Sequence, residues 1–362
     1  MLLKIVLACY IALRTVLTYG LLRRAPRSAT QPPVSVVVAA RDEAASLPAL
    51  LNSLLRQTYA DYEVIVVDDR SSDATPAMLA DYQRHNKRLH VVRIADVPAG
   101  RTPKMHALAQ GVAAASGALL LFTDADCVIP PGWIAGIVAC FEPDVGVVTG
   151  YVGLRARHNT WLEHVQALDY FAMMATTAGA TKLGQPIGGS GANIAYRRAA
   201  YEQAGGFADM PLSAVSDDML LLQHVLDRTS WRAAFCDDPG TFIMTDAEPT
   251  LRQLLNQRVR WMAGGREVLQ HNPALLITSS LIGTFNGILL GFPLLLVRRD
   301  LRRALLYAVI GRAFADALHL GVAAVLFRRV ALLRYLPLWS IVQIPYTVLL
   351  PLYSLSRRWS WK

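Results

Sequence analysis

Cysteine is scarce, with four in 362 residues. Cys9, Cys127, Cys140 and Cys236 form no CxxC pair, so neither a thiolate zinc site nor a disulfide framework is expected. The scatter suits a reducing compartment. Charge is thin as well, at 17 % of residues, and lysines are few beside arginines. The middle of the chain has no basic run with interleaved aromatics, which argues against nucleic-acid binding. Internal repeats and low-complexity tracts are missing. The first apolar stretch ends in LLRRAPR without a small-residue cleavage pattern, so retention as a helix is expected ahead of removal as a signal peptide.

What is abundant is hydrophobic surface, at 53 % of residues, gathered at the two ends. Residues 1–22 read as one apolar helix interrupted by Lys4 and Arg14. Stretches 273–297, 304–327 and 331–355 are each long enough to cross a bilayer core of about 30 Å. The net charge of +9 traces to membrane-proximal arginines: Arg23, Arg24, Arg27, Arg298, Arg299, Arg302, Arg303, Arg357 and Arg358. Anionic headgroups explain such clusters. A cytoplasmic middle would put RRDLRR outside, against the positive-inside tendency. A re-entrant or interfacial segment among the four therefore stays open. Arg14 is costly at membrane depth unless it snorkels or pairs. Arg312, Asp316 and His319 are polar at the same depth, where such groups mark either pairing or passage of a substrate. The first two could pair along one helix.

Between the ends the pattern changes. VSVVVAA, EVIVVDD, LHVVRI and GALLLFTDAD are short β-branched or apolar runs. They alternate with the helical stretches DEAASLPALLNSLLRQ, SSDATPAMLADYQRH (opening at a Ser/Asp cap) and KMHALAQGVAAA. Strand–helix alternation predicts an α/β doubly wound domain with a mainly parallel sheet. VGVVTGYVGL reads as a further strand. WLEHVQALDYFAMMAT reads as a helix, in the core or on the interface, and a second amphipathic helix follows from Thr250. The chain divides into an N-terminal membrane helix (1–22), a globular domain (32–245), an interfacial helix (246–272) and a C-terminal membrane region (273–355).

Acidic residues fall at strand ends: Arg41-Asp42-Glu43 after the first, Asp68 and Asp69 after the second, Asp124 and Asp126 after the fourth. Ligands of open α/β sheets bind at those ends. Caps and turns use Asp as well, but three such clusters point to one converging site. Asp124-Ala125-Asp126 offers two carboxylates to Mg2+ or Mn2+, which take oxygen ligands and share them with a substrate diphosphate. Lys104, placed just before the third helix, could meet phosphate oxygens. Ser216-Asp217-Asp218 reads as a helix start that can also present a carboxylate as general base. In QRVRW, Gln257 and Trp261 share a helix face. Arg258 and Arg260 could face a diphosphate, and Trp261 could stack on a sugar or anchor at the bilayer.

Seven pieces in order resemble the family 2 glycosyltransferases: VSVVVAARDEAASL, EVIVVDDRSSDAT, PKMHAL, LLLFTDADC, GGSGANIAYRRAAYEQAGGF, SDDMLL and QRVRW. The likeness is greatest to the membrane-integrated branch with cellulose, chitin and hyaluronan synthases and ceramide glucosyltransferases. The resemblance implies a GT-A fold, an inverting displacement and a nucleotide-sugar donor, usually a UDP-sugar. It implies that Glu43, Arg41 and Asp69 lie near the nucleoside and Asp124 near the ribose and diphosphate. Asp126 would hold the metal and Asp218 would be the base. Ser190 would lie on the acceptor side. Gln257, Arg260 and Trp261 match the QxxRW signature over diphosphate and acceptor. Arg41-Asp42-Glu43 replaces the family's Tyr-Asn-Glu, Ala109 its Asn, and Asp217 its Glu.

The expected protein is an integral membrane enzyme of a cell inner membrane with a cytoplasmic catalytic domain. It would transfer a sugar to a lipid or glycan acceptor among membrane lipids. Four apolar segments make a wide polymer channel hard to build, so one or a few transfers are expected ahead of a processive synthase. A non-catalytic membrane scaffold that senses nucleotide-sugars is the alternative of another class.

Overall fold

The structure, a computed structural model, describes residues 1–25, 27–211, 217–291 and 299–355. The side chains of Asp217, Arg266, Glu267, Arg299, Asp300 and Leu301 are not included. Ser216, Arg298, Arg357 and Arg358, singled out above, lie outside the described residues. The chain folds as two compact units. One comprises Ala25–Gly153 and Gly188–Asp246, the other Met1–Arg24, Leu154–Ile187 and Ala247–Lys362.

The strands are β1 (Val34–Ala40), β2 (Tyr62–Asp68), β3 (Leu89–Arg93), β4 (Leu119–Phe122), β5 (Val145–Gly150), β6 (Val152–Arg155), β7 (Ile194–Arg197), β8 (Arg232–Cys236) and β9 (Ile243–Asp246). Seven of them make one sheet in the order β3-β2-β1-β4-β7-β5-β8. The pairs β1–β2, β2–β3, β1–β4 and β5–β8 are parallel, while β7 runs antiparallel to both β4 and β5. The β-branched runs occupy the centre because helices cover both faces of a parallel sheet: Val36, Val37, Val38, Val64, Ile65, Val66 and Val67 are all fully buried. Gly111 lets the helix Pro103–Ala114 approach, since a Cβ there would sit 2.5 Å from a Val37 methyl.

Three sequence expectations are corrected in this unit. VGVVTGYVGL is two strands, divided at Tyr151. Lys104 lies inside its helix, because Pro103 takes the first helical position, where a missing N–H costs nothing. The helix Thr75–His85 has Ala74 at its N-cap. The serines ahead of it bind Asp42, and Asp73 accepts the Thr75 N–H at 2.9 Å.

The other unit is helical. Among the described residues four segments are long and apolar enough to cross a membrane: Leu2–Leu22, Pro273–Leu290, Arg302–Leu326 and Val330–Leu355. The last begins as a 3-10 turn over Val330–Tyr335, and its α-helix starts only at Leu336, beside Pro337. Helices Trp161–Lys182 and Leu251–Leu269 complete the unit. Helix Leu2–Leu22 and helix Arg299–Leu326 run in the same direction. Leu7 lies against Gly311, Tyr10 bonds Asp316 at 2.6 Å, and Thr18 meets His319 at 3.0 Å. Alternating crossings require that direction. They put Arg302 and Arg303 at the Met1 end, and the Arg328–Tyr335 turn at the Leu22 end. Arg14 pairs rather than snorkels: it is 2 % exposed and 2.9 Å from Asp316. Arg312 approaches the same carboxylate at 3.5 Å. Glycines permit the tight packing of helix Leu2–Leu22 on helix Trp161–Lys182, since a Cβ at Gly20 would meet the Gly179 carbonyl at 2.2 Å.

Candidate active site

The site grows from strand ends. Because β1, β2 and β4 are parallel neighbours, the loops after Ala40, Asp68 and Phe122 leave the sheet at one edge. The antiparallel β7 adds what a parallel strand could not. Its first residue, Ile194, pairs with Phe122, the last of β4, so the Ser190–Gly191 segment entering β7 arrives at that same edge.

Lys104, Asp124, Gly191 and Asp218 line one cleft there, with Phe122 and Phe207 as apolar wall. The Lys104 ammonium donates to Asp124 Oδ1 at 2.7 Å, and both side chains are about a third exposed. Asp218 accepts the Gly191 N–H at 2.6 Å on one oxygen and the Met219 N–H at 2.8 Å on the other. The Tyr196 hydroxyl donates to the Asp218 carbonyl at 3.1 Å. Burial raises the Asp218 carboxyl above the ordinary aspartate value, against the pull of Lys104 and the two amides, and Asp124 repels it further. Asp126 accepts from the Thr245 hydroxyl at 3.2 Å. Burial raises it too, with repulsion from Asp124 as the next cause.

Two crowded carboxylates, one of them held above its normal range, are a donor set that a hard divalent cation would relieve. Among the described residues no three or more His, Cys, Asp or Glu side chains gather as a ligand set. The protein side would therefore supply Asp126 and Asp124 and leave the remaining positions to water and phosphate oxygens, as magnesium sites do. The residues present fit such an ion.

The first two loops are laced together. Asp42, in the left-handed region at φ 55°, accepts the Ser72 N–H at 2.7 Å, and the Asp42 N–H donates to the Ser71 hydroxyl at 3.0 Å. The Glu43 N–H donates to the Thr75 hydroxyl at 2.9 Å, and its carboxylate receives the Ser46 hydroxyl. Asp69 is buried, ion-paired to Arg70 at 2.8 Å, and its N–H reaches the Ala40 carbonyl. Arg41 is half exposed and lies 3.9 Å from Asp42. Arg41, Glu43 and Asp69 thus share the loops after β1 and β2, while Lys104, Asp124 and Asp218 share the cleft.

Gln257, Arg260 and Trp261 belong to the helical unit, on Leu251–Leu269. Gln257 donates to Glu248 at 2.9 Å, and Trp261 lies 5.7 Å from the Tyr170 ring. The expectation that Arg258 faces a diphosphate is corrected. Arg258 is 3 % exposed, 3.6 Å from Asp169 and 4.1 Å over the Trp261 ring. Its charge is used inside the unit, where Trp339 also donates to Asp169 at 3.2 Å. Sequence reasoning took Gly191 only as one of the glycines around Ser190, not as a partner of Asp218, and passed over Asp169. A Cβ at Gly191 would lie 3.2 Å from Asp218 Oδ2. The available signal for Asp169 was a lone aspartate in an apolar helix.

A model of the family "Glycosyltransferase like family 2" matches residues 32–264. Over 249 residues the chain is 27 % identical to a poly-beta-1,6-N-acetyl-D-glucosamine synthase of Staphylococcus epidermidis, covering 65 % of this chain and 55 % of that one. It is 30 % identical over 243 residues to a beta-monoglucosyldiacylglycerol synthase of Trichormus variabilis, covering 65 % and 49 %. The chain thus spans about half the length of the curated relatives it matches. A mannosyltransferase from Pyrobaculum calidifontis, solved with GDP-Man and Mn2+, superposes over 98 % of both chains with a TM-score of 0.60 at 19 % identity, a likeness of fold.

Proposed function

The chain belongs to glycosyltransferase family 2 and carries its GT-A type of fold, and we propose that it is a membrane-bound inverting enzyme moving a sugar from a nucleotide-sugar to a lipid or glycan acceptor. Residues 32–245 form the catalytic domain on the cytoplasmic face of an inner membrane. Residues 246–272 form the helix that carries QRVRW. The observation that carries this reading is the shared cleft of Lys104, Asp124 and Asp218.

Asp218 takes the proton of the acceptor hydroxyl as that oxygen bonds to the sugar's anomeric carbon and the bond to the diphosphate breaks. A carboxylate raised by burial is a better base than a solvated one, and its two backbone N–H bonds hold it in place. Lys104 sets a positive charge beside Asp124, where diphosphate oxygens would lie. A bound Mg2+ or Mn2+, held by Asp126 and Asp124, would supply neutralisation of the leaving diphosphate. Arg41, Glu43 and Asp69 contact the nucleoside, expected to be uridine. Ser190, Gln257 and Trp261 serve the acceptor, and Arg260 the diphosphate.

The acceptor divides the reading. The names of the relatives include a polymer synthase and a glycolipid synthase. A lipid or a short glycan is the leading reading, and an extruded polymer the second. The test incubates the full chain with UDP-sugars and GDP-mannose, membrane lipids and Mn2+, and weighs the products. Asp218→Asn is expected to keep donor binding and lose transfer by about 10²- to 10⁴-fold. Transfer near wild type would remove Asp218 as the base, and long sugar ladders would favour the processive reading.

A further inference from the structure

A second pocket, unrelated to the acidic cleft, lies wholly within the helical unit. Asn159, Trp161, His164, Arg334 and Tyr335 line it. We propose that this pocket binds the phosphate of an anionic membrane phospholipid headgroup.

Position comes first. Arg334 and Tyr335 lie in the 3-10 turn Val330–Tyr335, which opens the last of the apolar segments and separates helix Arg299–Leu326 from helix Leu336–Leu355. A turn between two crossings lies at a boundary between membrane and water, where headgroups are. Trp161 is 62 % exposed and Val330 56 % exposed. Indole and aliphatic surface is placed in this way at membrane interfaces.

The charge of the lining is one-sided. His164 Nε2 and Asn159 Oδ1 are 2.7 Å apart. If the amide oxygen accepts from the ring, the Asn159 NH2 is left to donate. The Trp161 indole N–H is a donor only, and so is the Arg334 guanidinium. Among the described residues no carboxylate pairs with Arg334. The nearby Glu163 carboxylate is turned inward, where it accepts from His158 and Thr160. Burial and the Arg334 charge lower His164, so Arg334 carries the positive charge. Its guanidinium lies 4.7 Å over the Tyr335 ring, and His164 stacks on that ring at 4.4 Å with 13° between the planes. An open pocket with a guanidinium, N–H donors and no acid fits a phosphodiester. The exposed Trp161 indole in the lining favours the lipid-borne form over a free ion.

Native mass spectrometry of the full chain in nonionic detergent tests this, with phosphatidylglycerol, phosphatidylcholine and inorganic phosphate as probes. Wild type is expected to retain phosphatidylglycerol in preference to phosphatidylcholine, and inorganic phosphate is expected not to displace it. Arg334→Gln, at an exposed position, is expected to weaken retention about fivefold, and Trp161→Ala to weaken it as well. Equal retention of the two lipids, displacement by inorganic phosphate, or wild-type retention in both variants would each overturn the proposal. The readout is binding, so its failure leaves the transferase reading untouched.

Discussion

A carboxyl buried beside another carboxylate resists ionisation, and Asp126 is in that position next to Asp124. An acid whose folded value is raised weakens folding at pH above that value, because the unfolded chain releases the proton more readily. Asp126→Asn removes the repulsion. The variant is expected to melt no lower than wild type in chelator, to lose the stabilisation that Mn2+ gives wild type, and to lose metal-dependent turnover. Thermal melts with and without Mn2+, run beside initial rates, check all three. A variant that Mn2+ stabilises as it does wild type would assign the ion elsewhere. At this scale the sequence was informative about residue type and blind to partner. Asp124 and Asp126 could be picked out as a pair because they are near neighbours. That Lys104 spans to Asp124 at 2.7 Å could not.

Among the elements, helix Trp161–Lys182 has the best-defined start. Thr160 and Glu163 form a capping box, each side chain bonding the other's backbone N–H. Burial works to raise the Glu163 carboxyl, but the bonds from His158 and Thr160 outweigh it and hold it at about 2, against 4.5 for a free glutamate. A lowered acid stabilises the fold above the unfolded value. That contribution begins to fall as pH drops below 4.5 and is gone below about 2. Glu163→Gln is expected to lower the apparent Tm at neutral pH and to narrow the gap to wild type as pH falls through that window, read by melting in detergent. Sequence reasoning passed over the Thr-x-x-Glu spacing that sets this start. Whether the helix was core or interfacial was not visible in the sequence, because its apolar residues surround it rather than keeping to one stripe.

At the scale of the whole molecule, the helical unit buries two arginines against one shared acid. Arg14 and Arg312 share Asp316, with Tyr10 at 2.6 Å and Gln343 accepting from Arg312 at 2.6 Å. Removing the one acid leaves two guanidiniums unpaired in a low-dielectric interior. Asp316→Ala is therefore expected to cost about 3–5 kcal/mol, seen as a large fall in melting temperature. Replacing Arg14, Arg312 and Asp316 together by leucine or methionine is expected to be milder, because no charge is then left stranded. A triple variant less stable than Asp316→Ala would show that the network does more than neutralise itself.

Periodicity is a property of neighbours in the chain, so the sequence alone determined the apolar spans, the buried β-branched strands and the acids at the strand ends. Lys104 sat one residue off and VGVVTGYVGL was undivided because boundaries depend on local backbone geometry that periodicity does not record. Electrostatic pairing acts through space, and only the fold decides it. The antiparallel β7 brings Gly191 to the exit of β4 and so to Asp218. The common direction of two helices places Tyr10 against a carboxylate 306 positions away. Arg258, read as a candidate phosphate ligand, goes to Asp169 for the same reason: a buried guanidinium takes the nearest acid, and the packing of helices sets which acid that is.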